Sequence, residues 1–378
     1  MRPTPTEAEL GALARARELA LRARGMVSPN PLVGAVVLRE GTVVGEGWHE
    51  GPGRLHAEPV ALRDAGDAAR GATVVCTLEP CSHHGRTPPC TEALLAAGVA
   101  RVVIGTLDPL ERTRGQGVRI LAAAGLEVAV AEGPEAEACR ELNAAFLTWA
   151  VTRRPHVTLK LATSLDGKVA TATGESQWIS GPDSRALVHR WRADHDAVAV
   201  GLGTALADDP RLTARDVEGE VRQPMRVVWD SSARLPADSA LARTARELPV
   251  LVVAAPWAPA ERVAALEAAG VEILQVPGSM SERIAAGLDA LGARAEPVQS
   301  LLVEGGSGFA AAMVAAGAVD RVAWFLAPKL IGGAAAPGGL GDPGVDRLAD
   351  APRLLGTAVV PVGEDLLVTG RLRPLPGA

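Results

Sequence analysis

Apolar residues recur at helical spacing from the start of the chain. Leu10, Leu13, Ala14, Arg17 and Leu21 fall on one face, the pair Thr6 and Glu9 matches a capping box, and Gly25 suits the C-terminal cap. After this helix the period becomes that of strands: runs at 33–38 and 43–47, split by Glu40-Gly41, predict two strands and a short turn. Helix 58–65, strand 72–77, helix 91–97, strand 101–105, helix 118–124 and strand 127–130 follow. Such alternation predicts a layered α/β sheet. At 148–155 the pattern resets through Arg153-Arg154-Pro155, and strand 156–162, helix 183–193, strands 197–200, 226–229 and 250–254, helix 260–268, strand 300–304, helix 309–316 and strand 321–326 repeat the alternation. The stretch 332–344 reads as a loop. This places one domain at 1–148, a linker at 149–154 and a second domain at 155–378.

The length of 378 residues fits two or three domains, and 48% hydrophobic with 22% charged residues excludes a largely disordered chain. No apolar run is long enough for a membrane span, and the first 25 residues are too rich in Arg and Glu for a secretory signal. A net charge of −6 argues against a nucleic-acid partner but leaves room for a local basic pocket. Basic residues are nearly all Arg, Lys occurring only as Lys160, Lys168 and Lys329. There is no Tyr, so any mechanism here works without a phenol. Four cysteines (Cys76, Cys81, Cys90, Cys139) do not make a disulfide framework in so long a chain. They suit a reducing cytoplasm, where clustered Cys and His suggest metal or catalysis.

His56-Ala57-Glu58 heads a predicted helix, and the segment LEPCSHHGRTPPC supplies Cys81 and Cys90. One imidazole and two thiolates suit tetrahedral Zn²⁺ with the fourth position open to water. Their charges cancel that of the ion, which can then lower the pKa of its water towards ~7. Glu58 can stay off the metal and carry a proton from water to a leaving amine, the logic of zinc-dependent nucleobase deaminases. Two alternatives stand beside this reading: His83 or His84 as a ligand, or a closed Cys₂His₂ knot without catalysis. A closed knot has no need of Glu58.

Here the chain resembles the bifunctional deaminase–reductase family of riboflavin biosynthesis. SPNPLVGAVV (28–37), HAE (56–58) and TLEPCSHHGRTPPC (77–90) carry the likeness, as do 154–181, 200–215 and 301–333. The resemblance implies a cytidine-deaminase-like three-layer α/β/α domain followed by a dihydrofolate-reductase-like α/β domain. It implies one zinc at His56, Cys81 and Cys90, Glu58 as proton shuttle, and Asn30, His49, His83 and Arg86 around the pyrimidine and ribose phosphate. It assigns NADPH to Ala162, Trp178, Thr204, Asp208, Ser231 and the turn Gly306, Ser307, Gly308, Phe309, Ala310, Ala311, Ala312. Ser176, Arg192, Leu212, Arg215 and Glu304 would face the second substrate, with a homo-oligomer as the assembly.

The residues themselves add to this. Gly305, Gly306 and Gly308 let backbone N–H groups approach a phosphate at a helix start, and Gly201-Leu202-Gly203-Thr204 makes a second such turn. Arg192 and Arg215 suit a bidentate clamp on a ribose 5-phosphate. Trp178 could offer a face to the nicotinamide or simply pack in the core. Lys160 is a candidate to hold the substrate or its reacting centre, or else forms a structural ion pair. The implied chemistry is hydrolytic deamination of 2,5-diamino-6-(5-phosphoribosylamino)pyrimidin-4-one, then NADPH-dependent reduction of its ribosyl group to ribityl. Two departures from the family stand out: Pro59 for Val, which a first helical turn tolerates, and Leu110 for a substrate-facing Asn in the loop 108–117. The second raises the alternative of a reductase with a drifted deaminase half, or a paralogue acting on a related pyrimidine.

Overall fold

The Glu9 N–H donates to Thr6 Oγ1 at 3.3 Å and the Thr6 N–H to Glu9 Oε2 at 2.7 Å, which starts α1 (Glu7–Leu21) with the expected capping box. The helix stops before Gly25, which sits in the following turn at φ +80°. The structure, a computed structural model, describes residues 3–376 apart from 86, 87, 111, 112 and 343. The chain divides into two compact units, one running to Arg153 and taking in Leu375, the other Arg154–Pro374.

In the first unit α1 is followed by β1 (Gly34–Arg39), β2 (Thr42–Trp48), α2 (Ala57–Ala65), β3 (Thr73–Cys76), α3 (Cys90–Ala97) and β4 (Arg101–Ile104), then α4 (Gln116–Ala123), β5 (Glu127–Val130), α5 (Gly133–Leu142) and α6 (Ala144–Thr152). The sheet order is β2-β1-β3-β4-β5, with β1 antiparallel to both neighbours and the remaining pairs parallel. Successive strand side chains point to opposite faces. Val37, Val74 and Ile104 therefore pack with Ala57, Ala61, Leu94 and Leu121 of α2 to α4, while Val36, Val75 and Val103 pack with Leu13 and Leu19 of α1 and Cys139 of α5. That is the expected three-layer arrangement. Gly47 lets α2 rest directly on β2: a Cβ there would lie 2.5 Å from Ala57 O and from Ala61 N. The position of His56 and Glu58 follows from this contact. Residues 149–152, read above as linker, are the end of α6; only the turn that begins at Arg153 (φ +59°) separates the units in sequence.

The second unit contains β6 (His156–Ser164), α7 (Pro182–Asp194), β7 (Ala197–Gly201), α8 (Leu202–Asp208), β8 (Met225–Trp229), α9 (Ala240–Arg243), β9 (Val250–Ala254) and α10 (Ala260–Ala269). These lead to β10 (Glu272–Gln275), α11 (Met280–Gly292), β11 (Ser300–Val303), α12 (Ser307–Ala315), β12 (Arg321–Ala327), β13 (Leu355–Val362) and β14 (Asp365–Arg371). Its sheet runs β10-β9-β8-β7-β11-β6-β12-β14-β13, parallel up to β12 and closed by the antiparallel pair β14 and β13. β7 and β9 are buried along their whole length, as parallel strands covered on both faces must be. In such sheets ligands bind outside the carboxyl ends of the strands. The ends of β6, β7, β8 and β11 carry Ala162, Gly201, Ser231 and Glu304. Among the described residues no helix is long and apolar enough to cross a membrane.

Candidate functional site

The first unit brings the expected metal ligands together at two helix starts. His56 is the N-cap of α2, Cys90 is the first residue of α3, and Cys81 lies in the loop after β3. The Cys90 N–H, one of the unpaired donors at the start of α3, donates to Cys81 Sγ at 3.3 Å and favours thiolate over thiol at Cys81. His56 Nδ1 lies 3.2 Å from Cys90 Sγ and 3.5 Å from Cys81 Sγ, and the three ligand atoms are all within 4.8 Å of one another. With Zn–N near 2.0 Å and Zn–S near 2.3 Å, a tetrahedral N···S edge is about 3.5 Å. The donor set and its spacing therefore fit Zn²⁺. Hydrogen bonding from Cys90, opposed by burial and aided by His56, holds the Cys81 thiol down at about 4.

Among the described residues no fourth side chain completes this group. His84 faces Glu92 at 3.6 Å, and His83 leaves its Nδ1 buried without a partner. Neither is grouped with the trio, so among the described residues no Cys₂His₂ set is assembled. Glu58, in the first turn of α2 and buried, accepts from Cys90 Sγ at 3.3 Å. Burial first, then the Cys81 charge, pushes its carboxyl up. Pro59 follows it in the same turn, where a helix N–H has no partner to lose.

Beside the trio, His49 Nδ1 donates to Leu55 O at 3.0 Å, so its Nε2 accepts from the Asn30 amide at 2.9 Å. Burial pushes His49 down in pKa and keeps it neutral in this tautomer. Asn30 thus turns its NH₂ to His49 and leaves Oδ1 as an acceptor. Arg86 lies outside the described residues. Leu110 turns towards Leu78, Phe146 and Leu147 in an apolar cluster. Glu79, which the sequence did not single out, is buried and accepts the N–H groups of Asp108 (3.3 Å), Gly115 (2.9 Å) and Val118 (3.3 Å). That carboxylate organises the loop carrying Leu110.

In the second unit the two glycine turns meet. Gly306, N-cap of α12, donates its N–H to Thr204 Oγ1 at 2.9 Å. The free N–H groups at the start of α12 suit a phosphate. Ala310 and Ala311 are core, and Phe309 packs on Trp229 at 5.4 Å, so these positions offer backbone or packing, not polar side chains. Trp178 is 64% exposed, which removes the core-packing alternative, and Arg185 lies over its ring at 4.8 Å. The neighbouring Gln177 donates to Asp208 at 3.3 Å, and Lys329 Nζ holds the carbonyls of Trp178 and Ile179 at 2.9 Å each. Ser176 is exposed in the same segment.

The expected arginine clamp does not form. Arg192 gives its Nε and Nη2 to Glu304 at 2.6 and 2.9 Å and its Nη1 to Thr213 O at 3.1 Å, so its fork is already used. Arg215 is exposed, and its guanidinium donates to Thr213 Oγ1 at 3.2 Å. Leu212 packs with Val198 and Val200, so its side chain is core. Lys160 on β6 lies beside the Arg192–Glu304 pair. Burial pushes its amine down, an effect the Glu304 charge opposes and Arg192 adds to. For Glu304 burial acts upwards, yet Arg192 and Lys160 outweigh it and hold the carboxylate below its usual range. The result is a half-hidden cation, anion, cation row at the carboxyl end of β11.

Residues 155–368 match the family model for the RibD C-terminal domain, and 7–106 match that for the cytidine and deoxycytidylate deaminase zinc-binding region. The riboflavin biosynthesis protein RibD of Aquifex aeolicus is 40% identical over 353 residues, 93% of this chain and 95% of that protein. Its Escherichia coli counterpart is 39% identical over 94% of this chain and 96% of its own length. Among solved structures, Acinetobacter baumannii RibD superposes with a TM-score of 0.83 at 35% identity, covering 97% of this chain and 99% of that one. A Thermotoga maritima diaminohydroxyphosphoribosylaminopyrimidine deaminase/5-amino-6-(5-phosphoribosylamino)uracil reductase does so with a TM-score of 0.83 at 34% identity, over 96% and 98%.

Proposed function

The chain belongs to the RibD family of riboflavin biosynthesis, bifunctional enzymes with a zinc-dependent deaminase and an NADPH-dependent reductase, and from that membership we propose which residues of this chain do each task. Its reactions are hydrolytic deamination of 2,5-diamino-6-(5-phosphoribosylamino)pyrimidin-4-one and reduction of the ribosyl group to ribityl. The observation that carries the residue assignment is the trio His56, Cys81, Cys90 with the Glu58 carboxylate 3.3 Å from Cys90 Sγ.

The trio holds the zinc. When bound, the zinc supplies the Lewis acidity that makes a water nucleophilic at neutral pH. Glu58 moves the proton: its Oε2 takes one on the water side and delivers it to the departing amine. Asn30 Oδ1 accepts from the pyrimidine, held in place by His49, while His83 lines the phosphoribosyl side. The trio and Glu58 are complete, and the Leu110 side chain is absorbed by its apolar neighbours. That arrangement favours a working deaminase half over a drifted one.

In the second unit NADPH supplies the hydride, and the protein's work is to bind, orient and exclude water. We assign the diphosphate to the start of α12, the nicotinamide to the exposed Trp178, and the sugar phosphate end of the substrate to Arg215 and Ser176. Lys160 presents its amine to the reacting ribose, with Glu304 fixed beside it by Arg192. The chain works in a cytoplasm, where its four cysteines, none of them in a disulfide, stay reduced. A second copy of the chain covers β13, an edge strand with Leu355, Val359 and Val360 all exposed. Incubating zinc-loaded protein with the diaminopyrimidine phosphate and NADPH tests the reading. One ammonia should appear and one NADPH be oxidised per substrate; no ammonia and no NADPH loss would sink it.

A further inference from the structure

A cavity of about 240 Å³ opens at the carboxyl ends of β7 and β8, between the starts of α8 and α12. It is smaller than the roughly 300–1,000 Å³ of whole-ligand pockets, so it matches one end of a dinucleotide. Its floor is Trp229 and Phe309, stacked at 5.4 Å, and its polar wall is the loop after β8: Asp230, Ser231 and Arg234.

The chemistry of that wall is selective. In dinucleotide sites a free carboxylate at a strand end accepts the ribose 2′-hydroxyl of NADH, whereas an arginine accommodates the 2′-phosphate of NADPH. Here the strand-end carboxylate is not free. Asp230 is 1% exposed and its two oxygens accept the Ser232 N–H at 3.2 Å and the Leu235 N–H at 2.7 Å. Ser231 Oγ accepts from Arg283 Nη2 at 3.1 Å, which leaves the Ser231 hydroxyl hydrogen to be donated elsewhere. Arg283 is itself fixed, its guanidinium bonded to Gly278 O and lying over Trp257 at 5.2 Å. Arg234, by contrast, is exposed on the cavity wall, and no hydrogen bond or ion pair engages it among the described residues. The wall therefore offers a free guanidinium fork, an oriented hydroxyl and a second cation behind it, with no carboxylate available to a hydroxyl.

We propose that Arg234, together with the Ser231 hydroxyl, grips the 2′-phosphate of the nucleotide and so sets the preference of this chain for NADPH over NADH. The proposal rests on the reductase reading and adds the specificity-determining residue. A charge-assisted fork on phosphate is stronger than a neutral hydrogen bond. Its loss should weaken phosphate-bearing ligands about 10- to 100-fold and leave ligands without that phosphate nearly untouched.

The test is equilibrium binding by calorimetry to the full zinc-loaded chain, without turnover, of NADPH, NADH, 2′,5′-ADP and 5′-ADP. Wild type should bind NADPH and 2′,5′-ADP much more tightly than NADH and 5′-ADP. Arg234→Ala should lose about 10- to 100-fold for the first pair and under about 3-fold for the second, and Arg234→Lys should recover part of the loss. Equal weakening of NADPH and NADH by Arg234→Ala, or no weakening of either, overturns the assignment while the reductase reading survives. Wild type that binds none of the four overturns both.

Discussion

Replacing Arg192 by Met removes one side of a buried ion pair and leaves the other in place. The two side chains are 14% and 11% exposed and meet through parallel contacts at 2.6 and 2.9 Å, so solvent screens them little. Losing one member of such a pair costs about 3–5 kcal/mol. The surroundings rank the two halves. After Arg192→Met, Glu304 still feels the Lys160 charge, which puts the cost near about 3 kcal/mol. After Glu304→Gln, Arg192 and Lys160 are left side by side without a carboxylate, which puts it near about 5 kcal/mol. At about 2–4 °C per kcal/mol for a domain of 150–250 residues, the melting temperatures should fall by about 6–12 °C and 10–20 °C. Scanning calorimetry of the free enzyme reads both values. The double variant Arg192→Met with Glu304→Leu should cost at least about 2 kcal/mol less than the sum of the singles. An Arg192 that served as a phosphate clamp would behave otherwise: Arg192→Met would leave the melting temperature within about a degree and raise only the KM of the phosphorylated substrate. That outcome, or a larger loss from Arg192→Met than from Glu304→Gln, refutes the reasoning.

Burial and the charge of Arg321 hold His156 down at about 3, against about 6.5 unfolded, so the unfolded chain binds the extra proton between those values. Stability contributed by neutral His156 is present above pH ~6.5 and falls with pH at up to about 1.4 kcal/mol per unit; urea titrations from pH 6.5 to 5 should show a flatter slope for His156→Gln, and parallel slopes would refute this. A charge on the exposed β13 edge should break the assembly: sedimentation of Val359→Lys should show a smaller species than wild type, while a monomeric wild type would end the idea.

What could be read from the sequence was local chemistry and short-range pattern. The His-x-Glu start of α2 and the thiol at the start of α3 are within a turn of a helix cap, so their environment follows from position alone. Strands β5 and β9 have the bounds the sequence predicts, 127–130 and 250–254. Elements without such contrast escaped. α6 is almost wholly apolar and lacks a capping side chain, and β13 has both faces exposed and no alternation to show. α11 was legible and missed: Ser279 and Glu282 form a capping box, with Ile284, Leu288 and Leu291 at helical spacing behind it. The engagement of the Arg192 fork by Glu304 was not legible, because Glu304 lies 112 residues away, a pairing no spacing rule reaches. Glu79 gave no signal for the same reason, since it binds the backbone of a loop about 30 residues on.

The hydrolytic half of the account stands on Glu58 as a proton carrier that is not a ligand. Glu58→Gln keeps the shape of the side chain in its buried place at the start of α2 and removes only its ability to accept and return a proton. Ammonia release from the diaminopyrimidine phosphate, measured on protein whose zinc content is assayed in the same sample, should fall about 10²- to 10⁴-fold with one zinc per chain retained and NADPH oxidation by the deaminated compound unchanged. Ammonia release at the wild-type rate, or loss of the zinc with the carboxylate, would contradict it.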